Sequence, residues 1–260
     1  MSGDSRKRLT AAVVTAAVLL LLGVSRIVPP ATAEVAQEDG VRVVVTGAMS
    51  PRELPRQGAA PVAVSVAGRI AAADPGVQPK LERISIAINS HGRLRTGGIP
   101  RCRLGQIEPS TTSEALLACR PALIGGGRFS ADVKIADQSP FPSKGRVLAF
   151  NGRLRGKPAI LAHVYGTEPV PTSYVLPFSI TSTAGTYGTL LEASLPAVTG
   201  EWGYVTGVSL ELEPRFVSAA CPAPAGFSGA TFPLMRTSFG FAGGPRLDST
   251  LNRSCRVRGR

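Results

Sequence analysis

The 260-residue chain is poor in the residues that carry most enzyme chemistry. It has two histidines, His91 and His163, one tryptophan and four tyrosines, and only 5% of its residues are aromatic. The four cysteines, Cys102, Cys119, Cys221 and Cys255, contain no C-x-x-C, and neither histidine stands at ligand-like spacing from one, which argues against a zinc site. The S-x-x-K of penicillin-recognising enzymes is absent: three residues before Lys134 and Lys144 stand Ala131 and Phe141. Gly226-Phe227-Ser228-Gly229 is one residue short of the G-x-S-x-G elbow and precedes a strand instead of following one. Gly125-Gly126-Gly127 lacks the Lys-Ser/Thr of a phosphate-binding loop. Few aromatics interleave with the basic residues, so base stacking on nucleic acid has no platform. No cofactor is implied.

What is present begins with the pattern of a secretory signal over residues 1–33. Arg6, Lys7 and Arg8 precede an apolar run from Leu9 to Val24, and Ala31-Thr32-Ala33 supplies an A-x-A cleavage pattern before Glu34. A membrane-spanning helix needs about 20 apolar residues, and this run is interrupted by Arg26. A cleaved signal is therefore expected, with an uncleaved anchor as the alternative and the only route to a membrane. No cysteine follows the apolar run, so a lipoprotein acylation site is missing. Residues 34–260 carry 25 basic against 16 acidic residues, net +9, almost all of the cations arginine. Anionic envelope polymers are the partner such a surface would suit; export and the scattering of the arginines argue against nucleic acid.

In an exported chain the cysteines read as staples. Sequence proximity favours Cys102–Cys119 and Cys221–Cys255 among the three pairings, each worth on the order of 3–4 kcal/mol in the chain-entropy picture.

The dominant local signal is two-residue alternation. Val62, Val64 and Val66 show it, as do Ile84, Ile86 and Ile88, then Ala131, Val133 and Ile135. Tyr204, Thr206, Val208, Leu210 and Leu212 alternate with Gly207, Ser209, Glu211 and Glu213. Further strands are expected at 41–47, 146–151, 158–165, 174–180, 187–194, 232–241 and 249–257, with Gly/Pro turns between, Gly125–Gly127 among them. Residues 41–47 and 62–68 read as a hairpin pair. Thr111-Thr112-Ser113-Glu114 fits a capping box that opens one short helix ending at Cys119. These features predict an all-β fold: an antiparallel β-sandwich, or partly closed barrel, of about eleven strands with one short helix and two disulfides. Residues 34–40 read as a loose lead and 49–60 as a loop. The β domain spans 61–260, with a candidate division into two subdomains near 137–145.

Gly98-Ile99-Pro100-Arg101-Cys102, Ala118-Cys119-Arg120, Glu201-Trp202-Gly203-Tyr204, Cys221-Pro222-Ala223-Pro224 and the closing Cys255-Arg256-Val257 together resemble uncharacterised exported proteins of high-GC actinobacteria. The resemblance covers the chain after about residue 80. It implies a secreted protein with paired cysteines and transfers no activity, substrate or catalytic residue.

The weak catalytic candidates are His163, which shares an apolar strand face with Leu161 and Tyr165 and could pair with Ser173 or Ser179, and the carboxylate pair Glu211/Glu213, expected on one face of one strand. Trp202 and Tyr204 could form a small sugar-binding platform. Three functions compete. A non-catalytic structural or adhesive module of the envelope is the first choice; a secreted hydrolase using His163 or Glu211/Glu213, and a lipid or small-ligand carrier, are the alternatives. Burial separates them: a cleft at His163 favours the hydrolase, an apolar void the carrier, and a solid core with a flat basic face the adhesin.

Overall fold

The computed structural model describes residues 33–74, 76–134, 139–195 and 203–259. Trp202, Ile135 and the segment over residues 1–32 lie outside the described residues. The all-β expectation holds, with one short helix and two disulfides, but the architecture is nearer the partly closed barrel than the eleven-strand sandwich. Thirteen of the sixteen described strands join one curled sheet. Its strands, in spatial order, are β1 (Glu34–Glu38), β2 (Val41–Ser50), β5 (Ala63–Ala72), β13 (Gly203–Leu212), β8 (Leu123–Val133), β9 (Phe141–Leu154), β10 (Lys157–Gly166), β11 (Thr172–Ser182), β12 (Tyr187–Ser194), β6 (Leu81–Asn89), β15 (Gly229–Phe241), β16 (Arg246–Val257) and β3 (Glu53–Leu54). All neighbours are antiparallel except β16 with β3. The sheet forms a half-barrel whose last long strand, β16, lies against β1 and β2.

One-face alternation cannot distinguish this from a sandwich, because each strand presents a single apolar face in both. Curl comes instead from glycines that the sequence reading placed in a turn. Gly125 and Gly127 lie inside β8, and a Cβ on Gly127 would stand 1.8 Å from the carbonyl oxygen of Ser209 on β13. That approach is open only to glycine and lets the sheet bend sharply there. Gly145 makes similar room, since its Cβ would fall 2.2 Å from the ring of Phe129.

The seam between the two ends of the sheet is also glycine-dependent. A Cβ at Gly47 of β2 would lie 2.7 Å from Leu251 Cδ2 of β16. Arg253 is buried here and its Nε donates to the Gly47 carbonyl at 2.6 Å. The expected hairpin of 41–47 with 62–68 is the β2–β5 ladder, with Gly47 opposite Val66. The expected loose lead at 34–40 is instead the edge strand β1, registered Glu34 to Val45.

One end of the half-barrel is covered. A small sheet of β4 (Ala60–Pro61), β14 (Val217–Ala219) and β7 (Gly92–Leu94) crosses it, over a core of Leu54, Val62, Ile124, Phe216, Phe232 and Leu251. Cys221–Cys255 ties this cover to β16, with the Cα atoms 5.7 Å apart. Asn151, fully buried, donates from Nδ2 to the carbonyls of Thr96, Ile99 and Pro100 and so pins the segment leading to Cys102.

A second apolar layer lies outside the sheet. Helix α1 (Thr112–Cys119) opens as expected: Glu114 N–H donates to Thr111 Oγ1 at 3.3 Å, and Thr111 N–H donates to Glu114 Oε2 at 2.8 Å. The hydrogen bonds that Thr111 N–H and then Thr111 Oγ1–H (2.9 Å) donate to Glu114 Oε2 hold the Glu114 carboxyl below its ordinary range. Cys102–Cys119, Cα atoms 5.5 Å apart, fastens the helix over Phe150, Ala159 and Leu161. Among the described residues no helix is long and apolar enough to cross a membrane.

Candidate functional site

Strand alternation carries half of every strand's side chains to the inside of the curl, and there they fail to fill the space. The half-barrel encloses a cavity of about 200 Å³. Val66 of β5, Ile86 and Ile88 of β6, Phe178 of β11, and Leu210 and Leu212 of β13 point into it and keep part of their surface accessible in spite of facing inward. An engineered cavity of about 150 Å³ with similar walls stays dry and takes up benzene. A void this size costs the fold dispersion contacts, so it is a feature that packing alone would remove.

Among the described residues two hydroxyl-bearing side chains line the cavity, Tyr174 of β11 and Thr237 of β15. Thr237 Oγ1 is committed to the Ser249 carbonyl at 3.3 Å. Tyr174 stands opposite Val164 in the β10–β11 ladder and packs with Val147, Ala162 and Leu176. Its ring is partly accessible where it borders the void, while protein surrounds it enough to push the phenol pKa up to about 12 by desolvation. Sequence reasoning alone assigns Tyr174 no role. The signal was its register with Leu176 and Phe178, which makes it the polar member of an otherwise apolar inward row.

His163 lies elsewhere. It faces the outer side of β10 beneath the helical cover and has no exposed surface. Its Nε2 lies 2.9 Å from the Ser110 carbonyl and 3.3 Å from Ser110 Oγ, so Nε2–H is the donor to that carbonyl. Ser110 Oγ in turn donates to the Ile107 carbonyl at 2.8 Å. Both protons are therefore spent on backbone oxygens. The expected partner Ser173 is one step removed, its Oγ accepting from Ser110 N–H at 3.2 Å. No carboxylate orients the ring among the described residues. A buried imidazole in that setting ties the 107–110 segment to the sheet and has no open nucleophile–base geometry. His91 sits in the turn after β6, with Nδ1 3.0 Å from Asn89 Oδ1.

Of the expected carboxylate pair, only Glu211 lies within the strand. β13 ends at Leu212, and Glu213 begins the following turn, where Phe216 N–H donates to its carbonyl and its carboxylate takes Arg215 Nε at 2.6 Å. Glu211 is exposed on the outer face, away from the cavity. Tyr204 is opposite Asp132, and burial, then the hydrogen bond and charge of that carboxylate, raise its phenol above the ordinary range. Its presumed companion Trp202 lies outside the described residues. Among the described residues no three His, Cys, Asp or Glu side chains cluster as a metal site would require.

The site the structure offers is thus an apolar chamber with, among the described residues, one hydroxyl that has no hydrogen-bond partner, in a double-stapled β fold whose disulfides are compatible with an extracytoplasmic location. No known protein family, characterised protein or solved structure matches the chain.

Proposed function

We propose that this protein is an exported carrier that binds an apolar or amphiphilic ligand, a hydrocarbon chain or comparable lipid moiety, inside the half-barrel. The carrying observation is the 200 Å³ void whose walls are largely aliphatic and aromatic side chains contributed by ten strands of the main sheet and two of the small one. Binding there needs little chemistry. Each methylene moved from water into the chamber contributes about 0.8 kcal/mol, and the rigid ladder around it keeps the site formed before the ligand arrives. The signal-like pattern over residues 1–33, the resemblance to exported actinobacterial proteins and the two disulfides support placing this activity outside the cytoplasm. Titration of the protein purified without its first 33 residues with a fluorescent polyene fatty acid tests the reading. Saturable emission displaced by a non-fluorescent fatty acid is expected; emission that rises without saturating, as from surface adsorption, would overturn it.

A second observation favours an adhesive role on the opposite face. Arg128 and Arg146 are direct cross-strand partners in the β8–β9 ladder, and one row away Lys144 pairs with Ser130, which shares Gly207 as neighbour with Arg69. All four cations are exposed, and none of the ion pairs among the described residues involves them. Like charges directly opposed weaken a sheet, and an anionic polymer or lipid surface would relieve them. Sedimentation with acidic wall polymer across a salt series tests this: binding should fall steeply as salt rises, and Arg128→Ser with Arg146→Ser should abolish it.

A further inference from the structure

The cavity's one uncommitted polar group specifies more than an apolar ligand. We infer that Tyr174 is the polar anchor of the chamber, donating its phenolic hydrogen to an acceptor oxygen at the end of the ligand's hydrocarbon chain, so that the natural ligand is a single-chain amphiphile and not a plain hydrocarbon. The inference rests on the cavity being a ligand site, and it adds the class of ligand.

Three facts carry it. Among the described residues the Tyr174 hydroxyl has no hydrogen-bond partner, whereas the cavity's other hydroxyl, on Thr237, is satisfied by Ser249. Tyr174 is only partly buried and its oxygen is not sealed in the protein, so the donor stands open to an incoming acceptor. Phenylalanine would fill the same aromatic position among Val147, Ala162, Val164 and Leu176 and offer the cavity no donor.

The second fact is position. Tyr174 lies two residues from Thr172, where β11 begins, opposite Val164 and close to the Gly166 end of β10. The small sheet and the Cys221–Cys255 staple cover the other end of the half-barrel, where β5 begins at Ala63 and β13 ends at Leu212. A chain lying along the chamber would place its tail against the aliphatic floor at Leu212 and Val64 and its head at Tyr174.

The third fact is protonation state. With its pKa raised to about 12, the phenol remains a neutral donor across the physiological range. It would accept a carboxylate, ester or alcohol oxygen equally and would not repel an anionic head as a phenolate would.

The experiment uses diphenylhexatriene, a hydrocarbon probe without oxygen, with decanoic acid, methyl decanoate and 1-decanol as displacing ligands, on the wild type, Tyr174→Phe and Thr237→Val. Diphenylhexatriene should bind all three proteins alike. The oxygenated ligands should displace it about three- to tenfold less well from Tyr174→Phe, the range one net hydrogen bond supplies, and unchanged from Thr237→Val. Comparison of acid, ester and alcohol then identifies which head is preferred. Equal displacement from wild type and Tyr174→Phe overturns the anchor while leaving the cavity reading intact. Loss of probe binding by Tyr174→Phe also overturns it, because the ring would then be acting through shape. Failure of the wild type to bind the probe or any of the three ligands refutes the cavity reading itself.

Discussion

Gly68 lies in the middle of β5, faces the cavity, and offers an unusually direct test of whether the void is real. A Cβ built there would meet only one neighbouring atom within 4 Å, Val208 Cγ1 at 4.0 Å. Gly68→Leu therefore sends four carbons into empty space. At about 0.8 kcal/mol per buried methylene the added side chain is worth roughly 3 kcal/mol as an upper bound. Ordering a leucine costs about 0.5–1 kcal/mol, and replacing glycine in a strand returns about 0.5–1 kcal/mol. The expected net stabilisation is about 2 kcal/mol, read in urea denaturation as a higher midpoint at unchanged slope. In a thermal scan it corresponds to roughly 4–8 °C for a domain of this size. The same variant should bind a long-chain ligand more weakly, since it occupies part of the chamber. A packed core gives the opposite sign: overpacking would lower stability by about 1–3 kcal/mol. A lower midpoint for Gly68→Leu would refute the reasoning.

Other perturbations bear on the devices that shape the chamber. Gly127→Val should cost about 3 kcal/mol or more, because its Cβ would stand 1.8 Å from the Ser209 carbonyl oxygen with only backbone to give way; denaturation that matches wild type would show that the curl does not depend on this glycine. Removing Cys221–Cys255 should cost about 4 kcal/mol and removing Cys102–Cys119 about 3 kcal/mol in the loop-closure picture. Equal midpoints for the oxidised and reduced protein would contradict both. The raised Tyr174 pKa favours the protonated phenol in the folded state, so its contribution is fully present below pH 10, the value for a free tyrosine, and is lost as pH climbs toward about 12. Tyr174→Phe should lack that part of the alkaline decline, roughly 2–3 kcal/mol between those limits, and superimposable stability–pH curves for the two proteins would sink the assignment.

Much of this architecture was legible in the residues. The alternation at Val62–Val66, Ile84–Ile88 and Val208–Leu212 located strands, because a half-buried pleat requires it. The capping box at Thr111 and Glu114 located the helix, and proximity gave both cysteine pairings. What could not be read was how the faces meet. Alternation reports that one face is buried and is silent on whether a second sheet or the curled remainder of the same sheet covers it. The glycines at 125, 127 and 145 held that information, yet a run of three glycines looks the same in a turn as in a sharply coiled strand. Their effect depends on Ser209 and Phe129, partners tens of residues away or on another strand. The hidden roles of Arg253 and Asn151 were closed to the sequence for the same reason. Each acts on backbone carbonyls that only the fold brings near. The surroundings of the catalytic candidates were equally hidden: β13 ends at Leu212, one residue before Glu213, and the cover over β10 seals His163 in.

The central claim is that a hydrocarbon chain lies inside the half-barrel. Isotope-filtered NOE spectroscopy tests this most directly, using a ¹³C-labelled decanoic acid with the unlabelled protein purified without its first 33 residues. The account predicts cross-peaks from the chain methylenes to the inward methyl groups of Val66, Ile86, Ile88 and Leu210, and none to Leu117 on the exposed face of helix α1. Cross-peaks confined to exposed groups such as Leu117 or Phe227, or none at saturating ligand, would contradict it.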